Sequence, residues 1–377
     1  MENQFTEQMS LNQIVINKVY NKIESNRFLV QKALERIHEE HASARDYILP
    51  LGNKYNMNNP TVLFDKEGNV LKMKLQNEEF KLHPHALSQV AKRLDITVPY
   101  IKDLAAGQDW EVNLAKTILT EHNNNKPKTK VLIRTVGNEV RGVLSDHYKR
   151  FNSLTILLGF IQSTTKNGGQ IMSLTVTDTK LYCETILPQP IEIPTAKNGL
   201  VTVFIGARFS TSDYGDGAIE MRTFLLNGAC LNGMVRESVM RQVHLGSKLG
   251  DNLMLSDRTY RLDTQTTASA ISDLTSSLFD KETIMKRAVE IQEASNVNVD
   301  LTSELRTLVR GGQISKSEEE KVNKILLNNN PNDGVTGEAT LWKLTQAITA
   351  HARELDPRRE RDLHEISGAL LNRLKIN

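Results

Sequence analysis

The sequence predicts an α+β protein, with a central twisted, mostly antiparallel sheet flanked by N-terminal and C-terminal helical regions. Three observations carry this reading. Apolar residues recur at helical spacing in the first and last stretches of the chain. Between them lie short runs of period-two alternation, punctuated by Pro and Gly. The regular strand–helix alternation of a doubly wound fold is missing.

The elements follow in order. Over Leu11–Arg45, Ile14, Val15, Val19 and Ile23, then Val30, Ala33, Leu34 and Ile37, form a stripe between polar residues, which reads as a helical arm. Thr61–Lys74 carries a hairpin that turns at Asp65–Asn69. His83–His122 returns to helix until Asn123–Pro127 breaks it. Lys130–Val143 is a hairpin reversing at Gly137-Asn138, and strand-like runs continue through Ser153–Ile161, Ile171–Thr177, Lys180–Ile186, Glu192-Ile193 and Leu200–Arg208. Ala218–Val235 reads as a strand entering a buried helix or turn around Cys230, Asn232 and Gly233. Helical patterns then run from Thr264 to Leu374, interrupted by the loop Asn328–Gly337. The implied division is an N-terminal arm (1–50), a hairpin-plus-helix subdomain (51–125), a mainly β core (126–262) and a C-terminal helical region (263–377).

Composition narrows the function. The chain of 377 residues has 47 basic and 45 acidic side chains, so a wholesale polycation is excluded and any nucleic-acid contact must come from local patches. Two cysteines, Cys183 and Cys230, cannot build a disulfide framework and suit a reducing compartment. No apolar run approaches the roughly 20 residues of a membrane span, and the first residues lack a signal-peptide pattern. A cytoplasmic protein with no membrane partner is expected.

The densest charge signal is Lys126–Arg150, where Lys126, Lys128, Lys130, Arg134, Arg141, Lys149 and Arg150 face only Glu139 and Asp146. Basic residues interleaved with aromatics hold nucleic acid by phosphate neutralisation and base stacking. The expected nucleic-acid-binding set is therefore Arg134, Arg141, Tyr148, Lys149, Arg150 and Phe151. Ser145, Asp146, His147 and Asn232 are expected to support that site or the core, with Arg141 and Asp146 paired across the turn. The competing reading is a solvated hairpin whose tyrosine belongs to the core.

Two further patterns stand out. Leu87–Leu104 resembles a helix-turn-helix, with Ala91 small, Leu94 and Ile96 flanking the turn, and Ile101 and Leu104 packing back. Thr97, Tyr100 and Lys102 would then lie near a groove. However, Asp95 occupies the usual flexible position, and Lys92 and Arg93 sit on the first helix, as in an ordinary packing unit. The loop Phe209–Gly217 carries Asp213 and Asp216 between hydroxyls and glycines, without calcium-loop or phosphate-loop spacing. Neither a metal-ligand set nor a cofactor motif is found: His83 and His85 straddle Pro84, and His38 and His41 lie among Glu39 and Glu40. Ser145-Asp146-His147 are neighbours in sequence and do not make a hydrolase triad.

One set of residues resembles a known family. His85–Gln89, Leu94–Ile96, Pro99-Tyr100, Arg134, Arg141–Tyr148, Phe204-Ile205, Leu225 and Cys230–Met234 are similar to the phage and plasmid-like proteins carrying the domain of unknown function numbered nine hundred and thirty-two. The likeness spans about 80–250, with a weaker match beyond Trp342. It implies a phage, prophage or plasmid setting and no established activity, with Arg141, Gly142, Ser145, Asp146, Tyr148, Cys230, Asn232 and Gly233 on the matching motifs. The leading expectation is a non-catalytic protein that binds single-stranded or duplex nucleic acid in replication or recombination. The alternatives are a structural homo-oligomer assembled through its helical arms, and a metal-dependent nucleic-acid-processing enzyme using Asp146 with Asp213 or Asp216.

Overall fold

The computed structural model describes residues 2–54, 61–149, 151–228, 230–231, 233–244 and 256–373, with backbone only for 2–12, 237, 238 and 373. Arg150 and Asn232 lie outside the described residues. Helices at both ends flank antiparallel and mixed sheets, giving an α+β fold. The single central sheet expected from sequence is in fact two sheets.

The N-terminal arm is one helix, α1 (Glu2–Ser43). It leads directly into the first sheet: β1 (Ala44–Leu51), β2 (Val62–Glu67), β3 (Val70–Leu75), β4 (Glu78–Leu82), β5 (Thr129–Val136) and β6 (Glu139–Ser145). The spatial order is β1-β5-β6-β4-β3-β2. All neighbours are antiparallel except β4 and β6, and β1 pairs with β5 from Ala44↔Val136 to Leu51↔Thr129. The hairpin read from Lys130–Val143 therefore sits between an earlier strand on each side. A boundary at 126 runs through this sheet, and one at 50 cuts β1. Three helices, α2 (Pro84–Arg93), α3 (Val98–Ala105) and α4 (Asp109–Asn125), cover one face. Val131, Ile133, Met73, Val90, Ile101 and Leu119 fill the core between. Leu132, Arg134 and Leu144 alternate onto the opposite face.

Ser153–Ile161 is not a strand; it opens α5 (Ser153–Lys166). Its β-branched residues imitate a strand run, but Asn152 Oδ1 accepts from Thr155 N at 3.1 Å and starts the helix. Ile156, Leu157, Phe160, Ser163 and Thr164 are then buried at helical spacing. The second sheet contains β7 (Gln170–Val176), β8 (Leu181–Ile186), β9 (Ile191–Thr195), β10 (Gly199–Thr211), β11 (Ile219–Asn227) and β12 (Gly233–Gln242). Its order is β12-β11-β10-β8-β7, with β9 also on β10. Thus Gly233–Val235 opens a strand, rather than lying in the buried helix or turn read there from sequence.

On β10, Val203 and Ile205 pack into the C-terminal helices, while the intervening Phe204 packs with Val19 and Ile23 of α1. The C-terminal helices are α6 (Asp257–Leu278), α7 (Lys281–Asn296), α8 (Leu301–Arg310), α9 (Lys316–Asn328), α10 (Leu341–Ala352) and α11 (Pro357–Leu370). Every residue of α10 is buried. Along the β7 edge runs α1, with Asn26 Nδ2 donating to Met172 O at 2.9 Å and Arg36 Nη1 to Val176 O at 3.3 Å. Those contacts use carbonyls that an uncovered edge strand would present to other chains.

Candidate functional site

The body of the β5–β6 hairpin is buried, while its tip at Gly137-Asn138 is exposed. The body receives the loop Ser212–Gly217 that joins β10 to β11, and this joint fastens the two sheets together. Arg134 is 7% exposed. Its Nε and Nη2 grip Asp46 of β1 at 2.8 and 2.9 Å, and Nη1 donates to Asp213 O at 3.1 Å. Burial alone would weaken its hold on the proton, but Asp46 outweighs that and the guanidinium is held more firmly than usual. Bidentate pairing uses the fork that would clasp a phosphate.

The other described members of the expected set are also engaged. Arg141 Nε donates to Glu139 Oε2 at 2.9 Å and Nη1 to Asp178 O at 3.0 Å, with Glu40 at 3.8 Å. The expected Arg141–Asp146 pair does not form, because Asp146 turns instead to His147 Nδ1 at 3.1 Å. Tyr148 is buried, donates to Ser212 O at 2.9 Å and stacks on His244 with ring centroids 5.0 Å apart. Phe151 is buried edge-on to the same imidazole. Lys149 pairs with Asp263 at 2.9 Å. Arg134, Tyr148 and Phe151 could not clasp phosphates or stack bases without first leaving these partners. The core-tyrosine reading matches this placement. Burial and the nearby Arg134 push the His244 imidazole down to about 4.

Several matching residues of the family resemblance gather here. A Cβ at Gly142 would lie 3.4 Å from Tyr214 Cα, so that glycine permits the loop to approach β6 closely. Gln89 Nε2 and His85 Nε2 both meet Tyr214 O, at 2.8 and 2.9 Å. The loop is thus held from α2, β5 and β6 at once.

Beside the joint lies a cavity of about 290 Å³ between the end of α1, β1, β8 and the N-termini of α5 and α6. Asp213 is half-buried and lines it, with Oδ1 accepting from Ser153 Oγ at 2.5 Å. Burial raises the carboxyl above its usual range, against the pull of Arg134, Ser153 and His41. Asp216 binds elsewhere, to Thr179 Oγ1 at 2.5 Å. Asp146, Asp213 and Asp216 therefore have separate partners. Among the described residues, no group of three or more His, Cys, Asp or Glu side chains is placed to hold a metal ion.

The helix-turn-helix pattern folds as α2 and α3 across Leu94–Thr97. Asp95 takes φ +56°, adopting the left-handed conformation usually given to glycine. Leu94 N donates to Val90 O at 2.9 Å and Ile96 N to Ala91 O at 2.8 Å, closing the turn. Ala91, Leu94, Ile96, Ile101 and Leu104 are buried in the roles read from sequence. Thr97, Tyr100 and Lys102 are exposed, Tyr100 by 50%. Lys102 makes no ion pair among the described residues.

Sequence reasoning missed Ser153, hidden in an apparent strand, and Asp46, whose relation to Arg134 depends on β1 pairing with β5. No helix among the described residues is long and apolar enough to cross a membrane. Set against known proteins, the chain matches no family model, no curated protein and no solved structure.

Proposed function

We propose that this is a non-catalytic nucleic-acid-binding protein that meets its ligand through α3 rather than through the basic hairpin. One observation carries the reading: a tight left-handed turn at Asp95 joins α2 to α3 while Thr97, Tyr100 and Lys102 stay in solvent. A second helix of such a unit is shaped to enter the major groove, where phosphates supply affinity and side chains near its N-terminus reach base edges. Tyr100 provides an uncovered ring and Lys102 a cation with no ion pair among the described residues. The resemblance to the phage and plasmid-like family supports a place in mobile-element replication or recombination.

Titration of fluorescent single-stranded and duplex oligonucleotides at two salt concentrations tests it. Duplex binding that weakens with salt is expected, and Tyr100→Ala with Lys102→Glu should weaken it further. Trp110, exposed by 62% on the first turn of α4, gives a local fluorescence reporter, since Trp342 is only 2% exposed. No binding at low micromolar protein in low salt overturns the proposal. So does binding that survives both α3 changes but falls with Arg141→Ala.

A further inference from the structure

The corner where α2 turns into α3 collects charge from parts of the chain outside α3. The C-terminal end of α4 closes against it: His122 Nδ1 donates to Leu94 O at 2.8 Å, and Lys126 pairs with Asp95. Lys54, beyond the end of β1, donates its backbone N–H to Lys126 O at 3.0 Å. Lys92 stands about one turn before Asp95 on α2. Lys128 follows Lys126 and immediately precedes β5. Both Lys92 and Lys128 are exposed, and neither makes an ion pair among the described residues. Residues 55–60, which follow Lys54 in sequence, contain no carboxylate.

Asp95 is the charge in this corner that works against an anionic partner. It lies two residues before Thr97, where α3 begins, and its side chain is 72% exposed. Left uncancelled, it would repel the phosphates that wall a major groove about 12 Å wide. Lys126 cancels it from a different element. Glu121, exposed on α4, is the other carboxylate near the corner. Lys54, Lys92, Arg93, Lys126 and Lys128 outnumber these two acids. We infer that Lys92 and Lys128 contact duplex phosphates beside the leading end of α3, with Lys126 a positioning residue that neutralises Asp95. This inference rests on the α3 reading and names the backbone contacts that accompany it.

The test titrates the full chain and its variants with one fluorescent DNA duplex over a range of salt, with thermal melts to confirm folding. Lys92→Ala and Lys128→Ala should each make the salt slope shallower by about 1. Lys286→Ala, exposed on α7 outside this corner, should leave the slope as in the parent. Asp95→Asn keeps a residue suited to the left-handed turn and should tighten binding about threefold. Lys126→Ala should weaken binding, and adding Asp95→Asn to it should restore the parent's affinity. Slopes unchanged by Lys92→Ala and Lys128→Ala overturn the inference. So does a slope that falls equally with Lys286→Ala, or Lys126→Ala binding that Asp95→Asn fails to restore. If Lys126→Ala fails to fold, Asp95→Asn alone decides: tighter binding supports the inference, and unchanged binding overturns it. Binding that depends on Tyr100 and Lys102 but ignores Lys92 and Lys128 removes this inference and keeps the α3 reading. The reverse pattern removes the α3 reading and keeps the phosphate contacts, and a parent chain that binds no duplex removes both.

Discussion

The hairpin band at Lys126–Arg150 and the outer face of α3 make an instructive pair. The band holds more basic residues, but Arg134, Arg141 and the Tyr148 ring are spent inside the molecule. The α3 face offers only one lysine and one tyrosine, and both are free to meet a ligand. Charge density along a chain measures how many cations a segment owns. Availability depends on which carboxylates the fold brings opposite them, and Asp46, Glu40 and Asp263 arrive from distant elements.

The largest expected effect breaks the joint. Arg134→Met would remove the bidentate cation from half-buried Asp46 and the hydrogen bond to Asp213 O, at a cost of about 3 kcal/mol. Denaturant melts should register this, and a loss below about 1 kcal/mol would contradict a closed ion pair. The second effect is acid sensitivity. His244 in the folded protein titrates near 4, below its ordinary value near 6.5, so the unfolded chain binds the extra proton between those values. Stability from this group is complete above about pH 6.5 and declines as pH falls toward 4, by about 3 kcal/mol in all. His244→Phe keeps a ring against Tyr148 and should flatten that part of the pH–stability curve. An unchanged curve would show that the imidazole is not desolvated.

A smaller effect separates core tyrosine from stacking tyrosine. Tyr148→Phe removes the hydrogen bond to Ser212 O and should cost about 1 kcal/mol while leaving nucleic-acid affinity unchanged. Lost affinity with an unaltered melt would reverse the assignment. The smallest stability change belongs to the other member of the comparison. Tyr100→Ala with Lys102→Ala should alter stability within about 0.5 kcal/mol, while loss of one phosphate contact should reduce the salt slope of binding by about 1.

Much of the architecture was legible in local pattern. The helices at both ends, the hairpin at Gly68 and the turn at Asp95 depend on neighbours in sequence. So does the division of labour in α2 and α3, because apolar spacing alone decides which side chains turn inward. The second sheet's independence was not legible, and neither was the fate of Arg134. Asp46 lies 88 positions before it, and no local feature marks β1 as the partner of β5. Ser153 was hidden for a different reason: Leu154–Ile156 alternates poorly and β-branched residues imitate a strand, while the deciding signal is one capping asparagine. Asp213 was noticed for its loop, but its place beside Ser153 and Arg134 became visible only with both sheets assembled.

The strand order of the first sheet also bears on how the protein is made. During synthesis β1 emerges early, but its partner β5 follows only after three more strands and three helices. Its backbone groups must stay hydrated, or be sheltered by a chaperone, until Thr129–Val136 appears. Pairing between such distant segments carries a loop-closure cost before any contact offsets it, which slows folding. The guanidinium of Arg134 then waits again, for Asp213 to leave the ribosome, before its last hydrogen bond can form. Nascent chains halted between those residues would therefore contain the first sheet's strands without the clasp that joins them to the second.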